Sequence, residues 1–124
     1  MLSLFAKAAL CLLVLLYTYL GTFKIPSDVA AFYNDLVAHA LGYIVLMCVA
    51  AFAFPDKKVW LKVALACFVY SLLIECIQYF LPYRFLSLLD MMANGAGVCV
   101  GYCLAYLLWP VMRRMYQLPA QEGL

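Results

Sequence analysis

The stretch Leu36–Phe54 reads LVAHALGYIVLMCVAAFAF and stops at Pro55. A helix needs about 20 apolar residues to cross the hydrocarbon core of a bilayer, and this run is long enough. Three further stretches match it: Leu2–Leu20, Trp60–Phe80 and Leu88–Trp109. A spanning segment in lipid has to satisfy its own backbone hydrogen bonds, so each stretch is read as a helix. Pro26, Pro55, Pro82, Pro110 and Pro119 all lie between or beyond the four stretches, where proline punctuates helices. The expected fold is an all-α bundle of four transmembrane helices. It forms one domain over residues 1–124, with a tail from 113 to 124.

Composition agrees. The chain has 124 residues, 70% of them hydrophobic and 11% charged, with a mean hydropathy of +1.04. Soluble domains run at roughly 45–50% apolar and about 25% charged. Disorder is excluded on the same grounds, and four spans leave no room for a soluble catalytic domain. The net charge of +2 is too weak for a nucleic-acid binder. All six cysteines, Cys11, Cys48, Cys67, Cys76, Cys99 and Cys103, fall inside spans. They are read as packing residues with no disulfide partner. Lys7 followed by an apolar run could suggest a signal peptide. No small-x-small cleavage site follows, and the first stretch is read as an uncleaved anchor.

Lysine and arginine placement orients the bundle. Lys7, Lys57, Lys58, Lys62, Arg113 and Arg114 share one side, accompanied only by Asp56 and Glu122. That side is expected to be cytoplasmic, with both termini on it. The other side carries Lys24 and Arg84 against Asp28, Asp35, Glu75 and Asp90, a net negative face. Trp60 and Trp109 at inner helix ends, and Tyr17, Tyr19, Tyr33, Tyr79 and Tyr83 near outer ends, fit aromatic belts.

Ionisable groups within a span are costly and are functional candidates by default. Asp35 begins the second helix, with His39 one turn further in. Glu75 and Gln78 lie near the outer end of the third. Arg84 is in the third loop, and Asp90 begins the fourth helix, with Asn94 one turn on. Spacings of three and four put each pair on one helix face. At 1.5 Å per residue, His39, Glu75 and Asn94 all sit roughly 6–8 Å from the outer helix end. Three helices thus present polar groups in one layer. Gly97 and Gly101 form a GxxxG pair, read as close packing that lets Asn94 approach Glu75 or His39. Taken singly, each residue has a structural explanation. Asp35 and Asp90 could cap helices, Gln78 and Asn94 could bond between helices, and Arg84 could sit at headgroup level.

Taken in order, these residues resemble the VanZ-like family of small membrane proteins. Asp35, His39 and Tyr43 supply an acidic residue, a histidine four later, then an aromatic. Glu75 and Gln78 supply an ExxQ pair, followed by Arg84. Asp90 and Asn94 supply a DxxxN motif, followed by the small residues Gly95, Ala96 and Gly97. Many family members carry a basic residue after the first acidic one; here Leu36 stands there. The resemblance covers about residues 30 to 105. It implies a multi-pass protein of the bacterial cytoplasmic membrane, and the family's namesake is linked to low-level teicoplanin resistance.

Two functional readings follow. In the first, Asp35, His39, Glu75, Gln78, Arg84, Asp90 and Asn94 bind a membrane lipid or cell-wall-precursor headgroup, with Arg84 and Lys24 contacting phosphate. In the second, His39 and Glu75 act as acid–base groups of an enzyme that modifies an envelope lipid or cell-wall substituent. A variant of it places a metal on His39, Glu75 and Asp90. No nucleophile or cofactor motif is present, and the sequence alone assigns neither cofactor nor metal. A third reading leaves the polar groups to fix helix registry.

Overall fold

The computed structural model describes residues 1–24 and 35–119, Asp35 by its backbone alone. Asp28, Tyr33, the Asp35 side chain and Glu122 therefore lie outside the described residues. Four helices make up the described chain: α1 (Leu2–Thr22), α2 (Asp35–Ala53), α3 (Trp60–Tyr79) and α4 (Leu88–Met115). Each is long and apolar enough to span a bilayer, and no strand occurs among the described residues. A short 3₁₀ turn, Lys57–Val59, leads into α3. It is capped by Asp56, whose carboxylate accepts from the Lys58 N–H at 3.0 Å.

The most extensive helix contact joins α2 and α4, and glycine explains it. A methyl group placed on Gly101 would lie 2.8 Å from both the Ile44 carbonyl oxygen and Met47 Cβ. One on Gly97 would lie 3.0 Å from Tyr43 Cβ and closer still to the Ala40 carbonyl oxygen. The two backbones therefore meet directly, as small-xxx-small spacing allows. Around this seam Leu46, Met47, Ala51, Trp60 and Met112 are buried. Trp60 stands edge-on to Tyr106 and Trp109, with ring centroids 5.1 and 5.5 Å away.

α1 is attached differently. None of its residues is buried, and Leu4, Phe5, Leu12, Leu15 and Leu16 face outward. Leu10, Leu13 and Val14 pack against the core from its inner face, and polar bonds add to that contact. The Tyr17 hydroxyl donates to the Gly42 carbonyl of α2 at 3.0 Å. The Tyr70 hydroxyl of α3 lies 2.9 Å from Thr18 Oγ1 and 3.1 Å from the Val14 carbonyl. Interhelical bonds of this kind help to hold helices together where lipid tails are as apolar as leucine.

Side chains also close the C-terminal end of α2, whose last carbonyls have no partner within the helix. The Tyr116 hydroxyl donates to Phe52, Ser3 Oγ to Ala53 and Trp60 Nε1 to Phe54. These bonds gather the start of α1, the end of α2, the start of α3 and the end of α4 at one end of the bundle. Lys7 lies 5.6 Å from the Phe54 ring centroid there. Lys57 lies over the rings of Tyr106 and Trp109 at 5.9 and 5.4 Å, within cation–π range.

Two sequence expectations are corrected. Trp60 and Trp109, read as belt residues, are 0% and 8% exposed: their rings pack on each other, and the Trp60 N–H is spent on Phe54. Pro110, read as a terminator, lies inside α4, which continues to Met115. Proline at that position removes the one bond it would have donated to Tyr106. Buried Met112 and the Tyr116 bond to Phe52 hold the extension against the bundle. At 28 residues α4 is about 42 Å long. It outruns a hydrocarbon core of about 30 Å and carries Arg113 and Arg114 in its final turn.

Gly101→Leu and Gly97→Leu are each expected to cost more than the ~1–3 kcal/mol of ordinary overpacking, because backbone is what the side chain meets. Both should lose the single gel-filtration peak of the purified protein in detergent. Gly95→Ala, whose methyl meets only the Phe68 ring edge at 3.2 Å, should keep it. Trp60→Phe strands the Phe54 carbonyl and should lower thermal stability by about 1–3 kcal/mol, read as a fall in Tm.

Candidate functional site

The opposite end of the bundle gathers the polar residues. On α4, Asp90 and Asn94 are one turn apart and face the same way. The helix start is capped not by Asp90 but by Ser87, whose Oγ accepts from the Asp90 N–H at 3.2 Å. The Asp90 carboxylate turns across to α2, where its Oδ2 lies 3.8 Å from His39 Nε2. Asn94 Oδ1 lies 2.8 Å from His39 Nδ1. The imidazole is thus held at both nitrogens by one face of α4. With the Asn94 carbonyl toward the ring, Nδ1–H donates, and Nε2 faces Asp90 as a second N–H donor when the ring is protonated and as a lone pair when it is neutral.

Glu75 joins from α3. It is 0% exposed and Asn94 is 1% exposed. A ligand atom from each of His39, Glu75 and Asp90 lies within 4.8 Å of the others. Two carboxylates and an imidazole so close together, inside spanning helices, strongly repel or strongly require positive charge.

A cavity of about 550 Å³ opens beside this cluster. His39, Glu75, Gln78, Arg84 and Asn94 all line it, together with Lys24. Leu20, Ala38 and Ile74 supply apolar wall. A smaller space of about 350 Å³ adjoins it and holds Asp90; His39, Gln78, Tyr83 and Arg84 border both. Six of the seven residues singled out from the sequence therefore border these two spaces. The seventh, Asp35, lies one turn before His39, with its side chain outside the described residues.

Gln78 and Arg84 do something that sequence reading did not separate from ligand binding. Gln78 Nε2 donates to the Gly21 carbonyl at 2.9 Å. Arg84 Nη2 donates to Leu20 at 2.5 Å and to Phe23 at 3.2 Å. The Tyr83 hydroxyl donates to Thr22 at 2.6 Å. Four consecutive carbonyls at the end of α1 are thereby satisfied from α3 and the loop after it. A guanidinium at a helix C-terminus also meets the negative end of the dipole.

Several wall residues were not predicted as site residues. Tyr17 and Tyr83, read as belt residues, border the cavity and bond backbone carbonyls. Tyr19 and Tyr79 are 55% and 65% exposed and keep a peripheral position. Tyr43 is buried and lines the cavity. Its spacing of four from His39 was an available signal. Nothing in the motif pattern pointed to Tyr17 on α1.

A family model described as VanZ/LLP1 matches residues 5–109. The match takes in α1, which the motif resemblance over about residues 30 to 105 had left out; the end of α1 is one wall of the cavity. No curated protein and no solved structure gives a match. The four spans make this a multi-pass membrane protein, and the match over most of its length places the chain in the VanZ/LLP1 family.

Proposed function

We propose that the protein binds the headgroup of an amphipathic envelope molecule, a phosphate-bearing lipid or lipid-linked cell-wall precursor, within the bacterial inner membrane. The observation that carries this reading is the mixed wall of the 550 Å³ cavity. Lys24 and Arg84 offer positive charge, His39, Gln78 and Asn94 offer hydrogen bonds, and Leu20, Ala38 and Ile74 continue into the apolar surface of the helices. That is the chemistry of a charged head on a greasy chain. The lysines and arginines at the opposite end of the bundle support an outward-facing site by the positive-inside rule. Any contribution to teicoplanin resistance would act through such a precursor.

Acid–base catalysis by His39 and Glu75 is the second reading, favoured by one observation: Asn94 engages one nitrogen of the His39 ring at 2.8 Å, as the orienting partner of a general base does. Binding is preferred because the larger cavity's wall carries no serine, threonine or cysteine among the described residues.

Native mass spectrometry of the purified chain should show retention of anionic phospholipid over phosphatidylcholine. Lys24→Gln and the cavity-filling Ala38→Phe should each reduce that retention at least about five-fold with the helical CD signal intact. Leu107→Ala, on an exposed face of α4, should not. Equal retention in all three variants would sink the binding reading.

A further inference from the structure

We propose that His39 Nε2, Glu75 and Asp90 form a site for one divalent transition-metal cation, of the Zn²⁺ or Mn²⁺ type, at the inner edge of the cavity.

Three observations converge on it. First, the donor atoms come from three different helices and lie within 4.8 Å of one another. Zinc–nitrogen and zinc–oxygen bonds of roughly 2.0–2.2 Å require ligand atoms somewhat closer than that, so modest side-chain rotation closes the set. Second, Asn94 engages the other imidazole nitrogen at 2.8 Å. Metal-bound histidines characteristically donate their second ring N–H to a fixed acceptor, which orients the coordinating lone pair. Here Nε2 faces Asp90, whose Oδ2 is 3.8 Å away, and would present its lone pair to a cation placed between them. Third, Glu75 is wholly buried and the Asp90 side chain is 14% exposed, so a cation bound between them would be largely enclosed by protein on one side and open to the cavity on the other.

The donor set selects the cation class. One imidazole and two carboxylates suit zinc or manganese better than a hard ion such as calcium, which takes six to eight oxygens. Three protein ligands leave positions open on the metal, facing a cavity. Those positions would take phosphate oxygens. This bridging role rests on the headgroup reading above; the cation site itself does not.

The test uses the full chain, purified in detergent, stripped with chelator and titrated with Mn²⁺ and with Zn²⁺. Room-temperature EPR should show one Mn²⁺ immobilised per chain, displaced by Zn²⁺. His39→Ala and Asp90→Asn should each weaken binding at least about 30-fold. Asn94→Ala, which removes only the orienting bond, should weaken it roughly 10- to 100-fold. Asp90→Asn is nearly isosteric and lies in a capped first turn, so its CD spectrum and elution volume should match the parent. Absence of stoichiometric metal in the parent chain, or equal affinity in folded Asp90→Asn, overturns the site. A proton shared by the carboxylates would give that first result. Lipid retention measured with and without chelator separates the two proposals. Retention lost on chelation supports bridging. Retention unchanged beside a proven metal overturns bridging alone. No retention in either condition overturns the headgroup reading and leaves the metal result standing.

Discussion

The backbone contact between α2 and α4 is the constraint on which the rest of the molecule depends. Gly97 sits on Ala40 and Gly101 on Ile44, each without room for a methyl group. Two such contacts one turn apart fix both the separation and the register of the two helices. One turn before Gly97 stands Asn94, and it meets His39, one residue before Ala40. One turn earlier still, Asp90 reaches the other side of the same ring. A slip of a single turn along the seam would separate all three. The glycines carry no chemistry, yet they determine which polar atoms face each other.

A second constraint comes from the solvent. Backbone carbonyls left over at helix ends have no partner within their own helix, and toward the hydrocarbon little water is there to serve them. The molecule deals with this by side chains brought from other helices. At one end Ser3, Trp60 and Tyr116 close α2; at the other Gln78, Tyr83 and Arg84 close α1. These bonds staple a helix that has no buried residue. The bond to Phe54 also explains why Trp60, which looks interfacial in the sequence, turns inward: its N–H is needed there.

What could be read from the sequence was whatever depends on one helix at a time. The four spans, the depth of His39, Glu75 and Asn94, and their helix faces follow from length and a 3.6-residue period. The family motifs were legible because their spacing survives in a linear string. The match between Gln78 and the end of α1, 57 residues away, was not, since it depends on how helices are placed around one another. Nor was the role of Tyr17, which belongs to no motif. Pro110 misled because proline's local effect is known from the sequence, while the packing of Met112 and Tyr116 that overrides it is not.

The structure therefore divides a group that the sequence presented as one. Gln78 and Arg84 spend hydrogen bonds on α1 and so shape the cavity from one side. His39, Glu75, Asp90 and Asn94 converge on one another from the other side, three helices meeting at one imidazole. The first pair is explained by the need to satisfy backbone carbonyls, with any ligand contact additional to that. The four converging residues are not explained that way. Helix registry is already held by the glycine seam and the α1 staples, and Ser87, not Asp90, caps α4. Registry alone would be better served by apolar contacts, since burying two carboxylates beside each other opposes folding unless positive charge balances them. The convergence of three helices on one imidazole places the functional weight of the molecule on the His39 cluster.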